Sequence, residues 1–275
     1  MSEIIQKAKE VLDDKIVPIK EALVKVDLTP ISTGIKSLDD LMTYKRKGVA
    51  QDTGGFRRGD FIILSAHSGH GKSVIGLNFI HNMLKQGSTA MLFSYEMIIN
   101  FSFDKLEDMG VTDEEFGRLL VSKELKKNDI EWVLNKMDEA IEEYNTVFFV
   151  IDQLDFISTK SSDAGNRREE IGLILEQLIT FAKEKKVIIM LQAQVTKNEK
   201  FIDKPLRAYM LADSRKLKND PNYIIFAMRD TDNGLAVGNG GILRLAKNRL
   251  NGENGDMRYY LNECNNLIEG EDYNY

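Results

Sequence analysis

The sequence predicts an α/β fold, a mostly parallel sheet flanked by helices and finished by a β-hairpin. Three observations carry this reading. From Gly59 onward short apolar runs alternate with longer helical stretches. One run turns into a glycine-rich loop that opens a helix. Several runs end in a polar residue. The buried-strand candidates are Phe61–Leu64, Ala90–Ser94, Val147–Ile151, Val187–Leu191 and Ile224–Met228. Helical patterns cover Ser73–Lys85, Asp113–Leu120, Asn128–Glu143 and Arg167–Lys185. Parallel strands need such crossovers, because the chain must return before it can pair in the same direction. Beyond them, Gly-rich Asn233–Gly241 leads to a strand Ile242–Ala246, a turn Asn251–Gly255 and a strand Met257–Leu261, which together read as an edge hairpin.

The start of the chain differs. Ile4, Ile5, Ala8, Val11 and Leu12 recur at helical spacing among charged residues, giving an amphipathic helix. Pro18 ends it or begins a second short helix, Ile19–Val26, and Leu28–Gly34 reads as a linker. The expected division is therefore 1–30 as a docking segment and 31–275 as the main domain.

At 275 residues the chain can bury a substantial core. Its net charge of −6 argues against a coat for nucleic acid but leaves room for a local basic loop. The single cysteine, Cys264, excludes an internal disulfide and a thiolate metal cluster, so a cytoplasmic location is expected. The apolar runs are too short to cross a bilayer, and no charged-then-apolar leader opens the chain. His67, His70 and His81 are read as loop-packing or helix-surface residues rather than metal ligands.

The chemistry begins at Ala66-His-Ser-Gly-His-Gly-Lys-Ser73. Gly69 and Gly71 let the backbone wrap closely, so that amides of Ser68, Gly69, His70, Gly71 and Val74 can point at phosphate oxygens. Lys72 can reach the β- and γ-phosphates, Ser73 can ligate Mg²⁺, and the following helix offers its positive end. The motif predicts a nucleoside triphosphate, ATP with Mg²⁺. Val147-Phe-Phe-Val-Ile-Asp152 puts Asp152 at the carboxyl edge of a buried strand as the second Mg²⁺ ligand. The next residue is Gln153, so a catalytic base must come from elsewhere. Glu96, just past the strand Ala90–Ser94, offers one if that strand lies near the phosphate-loop strand. Gln192 and Gln194 both follow the strand Val187–Leu191, and either amide could sense the γ-phosphate; spacing alone does not separate them.

These strand ends together resemble the RecA-like ATPase domain of DnaB-type replicative helicases, over roughly Ile31–Leu261. The likeness rests on Ile31-Ser-Thr-Gly-Ile-Lys-Ser-Leu-Asp-Asp40, on the phosphate loop beginning with Ala66, and on Phe93-Ser-Tyr-Glu-Met97. It implies that Glu96 is the catalytic base, and Gln194-Val-Thr-Lys197 favours Gln194 as the sensor. Ala246-Lys247-Asn-Arg249 resembles the family's Lys-x-Arg, which implies that Arg249, with Lys247 beside it, reaches the nucleotide of a neighbouring subunit as an arginine finger. Leu211-Ala-Asp-Ser-Arg215-Lys-Leu-Lys218 resembles the segment whose loop grips single-stranded DNA. It departs where Lys216 replaces an acid and Lys218 a glycine. Arg215, Lys216 and Lys218 are the DNA contacts implied there, and Lys160, Arg167 and Arg168 those of a second channel loop. The family carries a helical collar that recruits primase. Here only the amphipathic segment precedes Ile31, and Ser2–Lys15 is expected to dock on an adjacent subunit. What the resemblance implies is an ATP-dependent DNA helicase on single-stranded DNA, a ring-shaped homo-oligomer (a hexamer) of phage type, with primase or a helicase loader as partners. Two other readings share the core: a RecA- or RadA-like recombination ATPase that forms filaments, and a KaiC-like switch ATPase without unwinding.

Overall fold

Strands form where the apolar runs lie, and most extend slightly past the purely apolar stretch. The structure, a computed structural model, describes residues 29–123, 128–159, 166–195, 206–211, 215–232 and 235–270. The predicted amphipathic helix and the first residue of its linker lie outside them. In chain order the elements are α1 (Lys36–Leu41), β1 (Lys45–Arg46), β2 (Val49–Ala50), β3 (Phe61–Ala66), α2 (Lys72–Lys85), β4 (Ala90–Ser94), α3 (Ile99–Asp108), α4 (Asp113–Phe116) and β5 (Leu119–Val121). There follow α5 (Ile130–Tyr144), β6 (Phe148–Asp152), α6 (Arg167–Lys185), β7 (Ile188–Gln194), α7 (Arg215–Asn219), β8 (Tyr223–Asp232), β9 (Leu235–Asn248), β10 (Gly255–Leu261) and β11 (Leu267–Glu269).

Among the described residues, nine strands make one sheet in the order β11-β10-β9-β8-β3-β7-β6-β4-β5. The six strands from β8 to β5 run parallel, and β9, β10 and β11 continue antiparallel. Side chains alternate across it. Ile62, Leu64, Phe148, Val150 and Met190 face α2, where Ile75, Phe79, Ile80 and Met83 meet them. Phe61, Ile63, Phe149, Ile151 and Leu191 face α5 and α6, through Val133, Met137, Ile174, Leu175 and Leu178. Burial on both faces explains the continuous apolar strands. The helices on the second face start where side chains can cap them: the Asp129 carboxylate accepts the Glu131 amide at 3.1 Å, and the Asn166 side chain accepts that of Glu169 at 3.1 Å.

The structure corrects four expectations. The helix from Asp113 ends at Phe116, and Leu119–Val121 pairs in parallel with β4 instead of continuing it. The Gly-rich stretch is not a connection: β9 runs from Leu235, with Gly241 opposite Arg229 on one side and Tyr259 on the other. A Cβ at Gly241 would lie 2.4 Å from the Met228 carbonyl and 2.7 Å from the Tyr259 ring, so glycine here serves close strand approach. The described part of the linker is stitched into the domain: Ile31 and Phe56 exchange backbone hydrogen bonds of 2.8 and 2.9 Å. Thr33 is buried on the Asp39 carboxylate. His81, read as packing or surface, is a helix-interior residue, 2% exposed. Helices α1 and α3 and strand β11 had no counterpart in the sequence reading. Among the described residues no helix is long and apolar enough to cross a membrane.

One buried acid gives the fold a pH signature. Asp60 accepts the Arg57 amide at 2.7 Å, and burial pushes its carboxyl up from 3.8 to about 6. A raised pKa means the folded state holds the proton more tightly than the unfolded chain. This contribution to stability is therefore full below pH 3.8 and is lost as pH rises through about 6. Asp60→Asn keeps the acceptor and cannot ionise. Relative to the parent, it is expected to gain up to about 3 kcal/mol between pH 4 and pH 8. Urea unfolding across that range checks it; the same pH dependence in both proteins would refute it.

Candidate functional site

The carboxyl ends of β3, β7, β6 and β4 lie along one edge of the sheet, with Ala66 opposite Gln194 and Ser94 opposite Asp152. Between β3 and α2 the loop wraps through Gly69 and Gly71, at φ of 80° and 81°. A Cβ at either position would meet nothing within 4 Å, so it is the left-handed backbone that calls for glycine. Gly71 is the N-cap of α2 and no side chain caps that end. The first-turn amides, including those of Lys72, Ser73 and Val74, therefore face outward as an anion cradle. Ser68 and Gly69 are exposed, Ser73 is half-buried, and Val74 packs against the core. His70 is buried, and its Nδ1 accepts the Arg229 amide at 3.2 Å, tying the loop to β8.

Lys72 is the centre of the site. Its side chain is 7% exposed, and Nζ lies 3.5 Å from Glu96 Oε2 and 3.6 Å from Asp152 Oδ1 while donating to Gln153 Oε1. Strand β4 is not beside β3, since β7 and β6 intervene. Glu96 reaches the site another way. The Tyr95 and Glu96 amides both donate to the Asp152 carbonyl, at 2.7 and 3.2 Å, which clamps the end of β4 to that of β6. Gln153 was noted in the sequence only for not being a glutamate. Its 4% exposure and its bond to Lys72 make it part of the site, and its place next to Asp152 at a strand end was the available signal.

Burial pushes the Asp152 carboxyl above its ordinary value, against the pull of the Lys72 ammonium and the Ser73 hydroxyl. Its buried Oδ1 has no hydrogen-bond partner among the described residues. Such an oxygen next to a serine hydroxyl fits a hard divalent cation. Magnesium takes one or two protein oxygens and completes its shell with phosphate and water. The two glutamines of β7 also separate. Gln192 is 1% exposed and sealed under α2, where a Cβ on Gly76 would sit 2.2 Å from its Nε2. Gln194 stands at the open edge beside Ala66.

The remaining candidates lie elsewhere. Lys247 and Arg249 sit toward the opposite edge of the sheet, where Asn248 pairs with Tyr223, so they do not join Lys72 within one chain. Lys247 Nζ donates to the carbonyls of Lys218 and Asn219 at 3.0 and 2.6 Å, and Arg249 Nη2 to Asn219 at 2.5 Å. Arg167 is folded onto the carbonyls of Leu154, Asp155 and Ile157 and pairs with Glu170 at 2.7 Å. Lys216 pairs with Glu176 at 2.6 Å. Arg168 is exposed and Lys218 half-buried, whereas Lys160 and the Arg215 side chain lie outside the described residues.

Comparison with known proteins bears on this geometry. The family described as "ATPase: KaiC" matches residues 31–223, more than half of the chain. The chain belongs to this ATPase family. Among curated relatives, this ATPase is 24% identical over 231 residues to the replicative DNA helicase DnaC of Bacillus subtilis, covering 75% of this chain and 48% of that one. It is 24% identical over 229 residues to the replicative DNA helicase DnaB of Geobacillus stearothermophilus, covering 74% and 48%. The chain thus spans about half the length of the curated relatives it matches. Its fold matches a separately solved ATPase domain with a TM-score of 0.76 at 19% identity, covering 94% of this chain and 100% of that one. It also matches a DnaB-like replicative helicase studied with primase, with a TM-score of 0.73 at 20% identity, covering 97% of this chain and 70% of the other. The RecA-like ATPase fold and the likeness to DnaB-type ATPase domains stand on these matches.

Proposed function

We propose that this ATPase is the motor domain of a DNA helicase, translocating on single-stranded DNA as a ring of copies with ATP bound between them. The observation that carries the reading is the meeting of Lys72, Glu96, Asp152 and Gln153 under a glycine loop that opens a helix. Here Lys72 is shared between two carboxylates and an amide. A triphosphate in the cradle offers it stronger anionic partners, and Glu96 is then freed to accept a proton from the attacking water. Asp152 and Ser73 would hold Mg²⁺, which neutralises charge developing on the phosphates. Gln194, at the edge beside Ala66, would bond the γ-phosphate and lose that bond after cleavage. Arg249 and Lys247 lie far from their own phosphate loop, and a neighbouring copy would have to supply them. The amphipathic 1–30 segment would dock on that neighbour, and primase or a loader would join the ring.

A second reading, a switch ATPase indifferent to DNA, is favoured by the description of the matched family. Steady-state ATP hydrolysis with and without single-stranded DNA separates the two. The motor reading expects a several-fold rise with DNA, abolished in Glu96→Gln. A robust rate that DNA leaves unchanged would select the switch.

A further inference from the structure

His70 belongs to the phosphate loop, yet its side chain turns to a neighbouring strand. β8 runs on past its last pairing with β3, Ala227 with Ala66, and there the Arg229 amide donates to His70 Nδ1 at 3.2 Å. The imidazole is 7% exposed and lies edge-on to that of His67, with ring centres 5.4 Å apart. A ring nitrogen that accepts a hydrogen bond carries no proton, so this imidazole is neutral, with its proton on Nε2. The loop around it is built on two glycines in left-handed backbone, Gly69 and Gly71, each with open space where a Cβ would stand. Such a backbone has many shapes open to it, and only some present their amides to an anion.

We infer that His70 is a positioning residue: by accepting the Arg229 amide it holds the phosphate loop in its anion-binding shape before a nucleotide arrives, and a proton on Nδ1 releases that hold. The inference rests on the loop binding nucleotide phosphate and is independent of the ring and of DNA. Where a loop is competent only part of the time, its apparent affinity is reduced by that fraction. One hydrogen bond that fixes the shape changes the fraction about three- to tenfold. The surroundings set when the hold is present. Among the described residues, the titratable and charged groups facing the ring are His67, on its own loop, and Arg229, on β8. Burial first, then these two neighbours, keep His70 below the ordinary imidazole value of 6.5. The hold is therefore complete at neutral pH and is lost on acidification below 6.5.

Titration calorimetry of the full chain with Mg²⁺ and ADP, at about pH 7.5 and about pH 5.5, tests it. His70→Asn places a carbonyl oxygen where Nδ1 stood, so it keeps an acceptor and cannot be protonated. His70→Leu fills the space and cannot accept. At the higher pH, His70→Leu is expected to bind about three- to tenfold more weakly than the parent, and His70→Asn to restore most of that loss. At the lower pH the parent should weaken relative to His70→Asn, which shares every other titrating group. Parental binding at the higher pH shows that the loop takes a nucleotide, and its absence would remove both that reading and the inference. With binding present, His70→Asn no better than His70→Leu would overturn the inference alone. So would a parent that follows His70→Asn across pH. Tighter parental binding in acid would overturn it too, because the imidazolium would then be a direct phosphate contact. If His70→Leu does not fold, the parent and His70→Asn compared across pH decide the matter.

Discussion

Glu96→Gln is expected to lower ATP hydrolysis by about 10²–10⁴-fold, the usual contribution of a positioned general base, while leaving nucleotide binding nearly unchanged. The substitution preserves shape. The amide oxygen can still face Lys72 Nζ, 3.5 Å away, and the two amide bonds from Tyr95 and Glu96 to the Asp152 carbonyl involve backbone alone. Only the capacity to accept a proton is lost. Binding should hold because the cradle is made of α2 amides and Lys72, and losing the Glu96 charge still leaves Lys72 held by Asp152 and Gln153. Equilibrium binding of a fluorescent ATP analogue beside steady-state hydrolysis measures both quantities. A variant that retains roughly a tenth or more of parental hydrolysis would remove Glu96 from the role of base and move attention to Gln153 and Asp152.

The second large effect is one of company. Lys72→Ala and Arg249→Ala should each be nearly inactive alone, yet a mixture should recover activity. The reason is geometric: Arg249 lies toward the amino edge of β3 and Lys72 follows its carboxyl end, so one chain does not bring the two together, and the proposed shared site needs two. In a head-to-tail assembly mixed at equal ratio, about a quarter of interfaces carry Lys72 on one side and Arg249 on the other. Recovery should peak near equal ratio and vanish at either extreme. Hydrolysis measured across mixing ratios gives the answer, and a flat line at background would mean that the site is not shared.

Much of the site was legible because burial and chemistry coincide at strand ends. An apolar run that stops on an acid, as at Asp152, admits few explanations, since an acid at the rim of a core is costly unless it is used. Glu96 was legible for the same reason, but the route that brings it to Lys72 was not. Strand β4 is separated from β3 by β7 and β6. The fold instead clamps β4 to β6 through backbone amides, which no side-chain pattern records. Gln153 was overlooked because a glutamine is silent where a glutamate is sought. Glycines misled over 235–241, since a residue that permits close strand approach looks like one that permits a turn. Helix α3 was hidden by its exposed Phe101 and Phe103, which blur the apolar stripe that would have marked it. The basic candidates for DNA contact illustrate the opposite limit: Arg167 and Lys216 read as free charge in one dimension and are internal ties in three.

Both outer strands of the sheet, β5 and β11, are only three residues long. So little unpaired backbone gives another chain almost no ladder to extend. In the proposed ring, copies would therefore hold one another by side chains and loops, contacts that salt, charge and a bound phosphate can loosen. An assembly built on a shared backbone ladder would tend to be permanent. The proposed ring, built without it, would be free to come apart and close again around a strand.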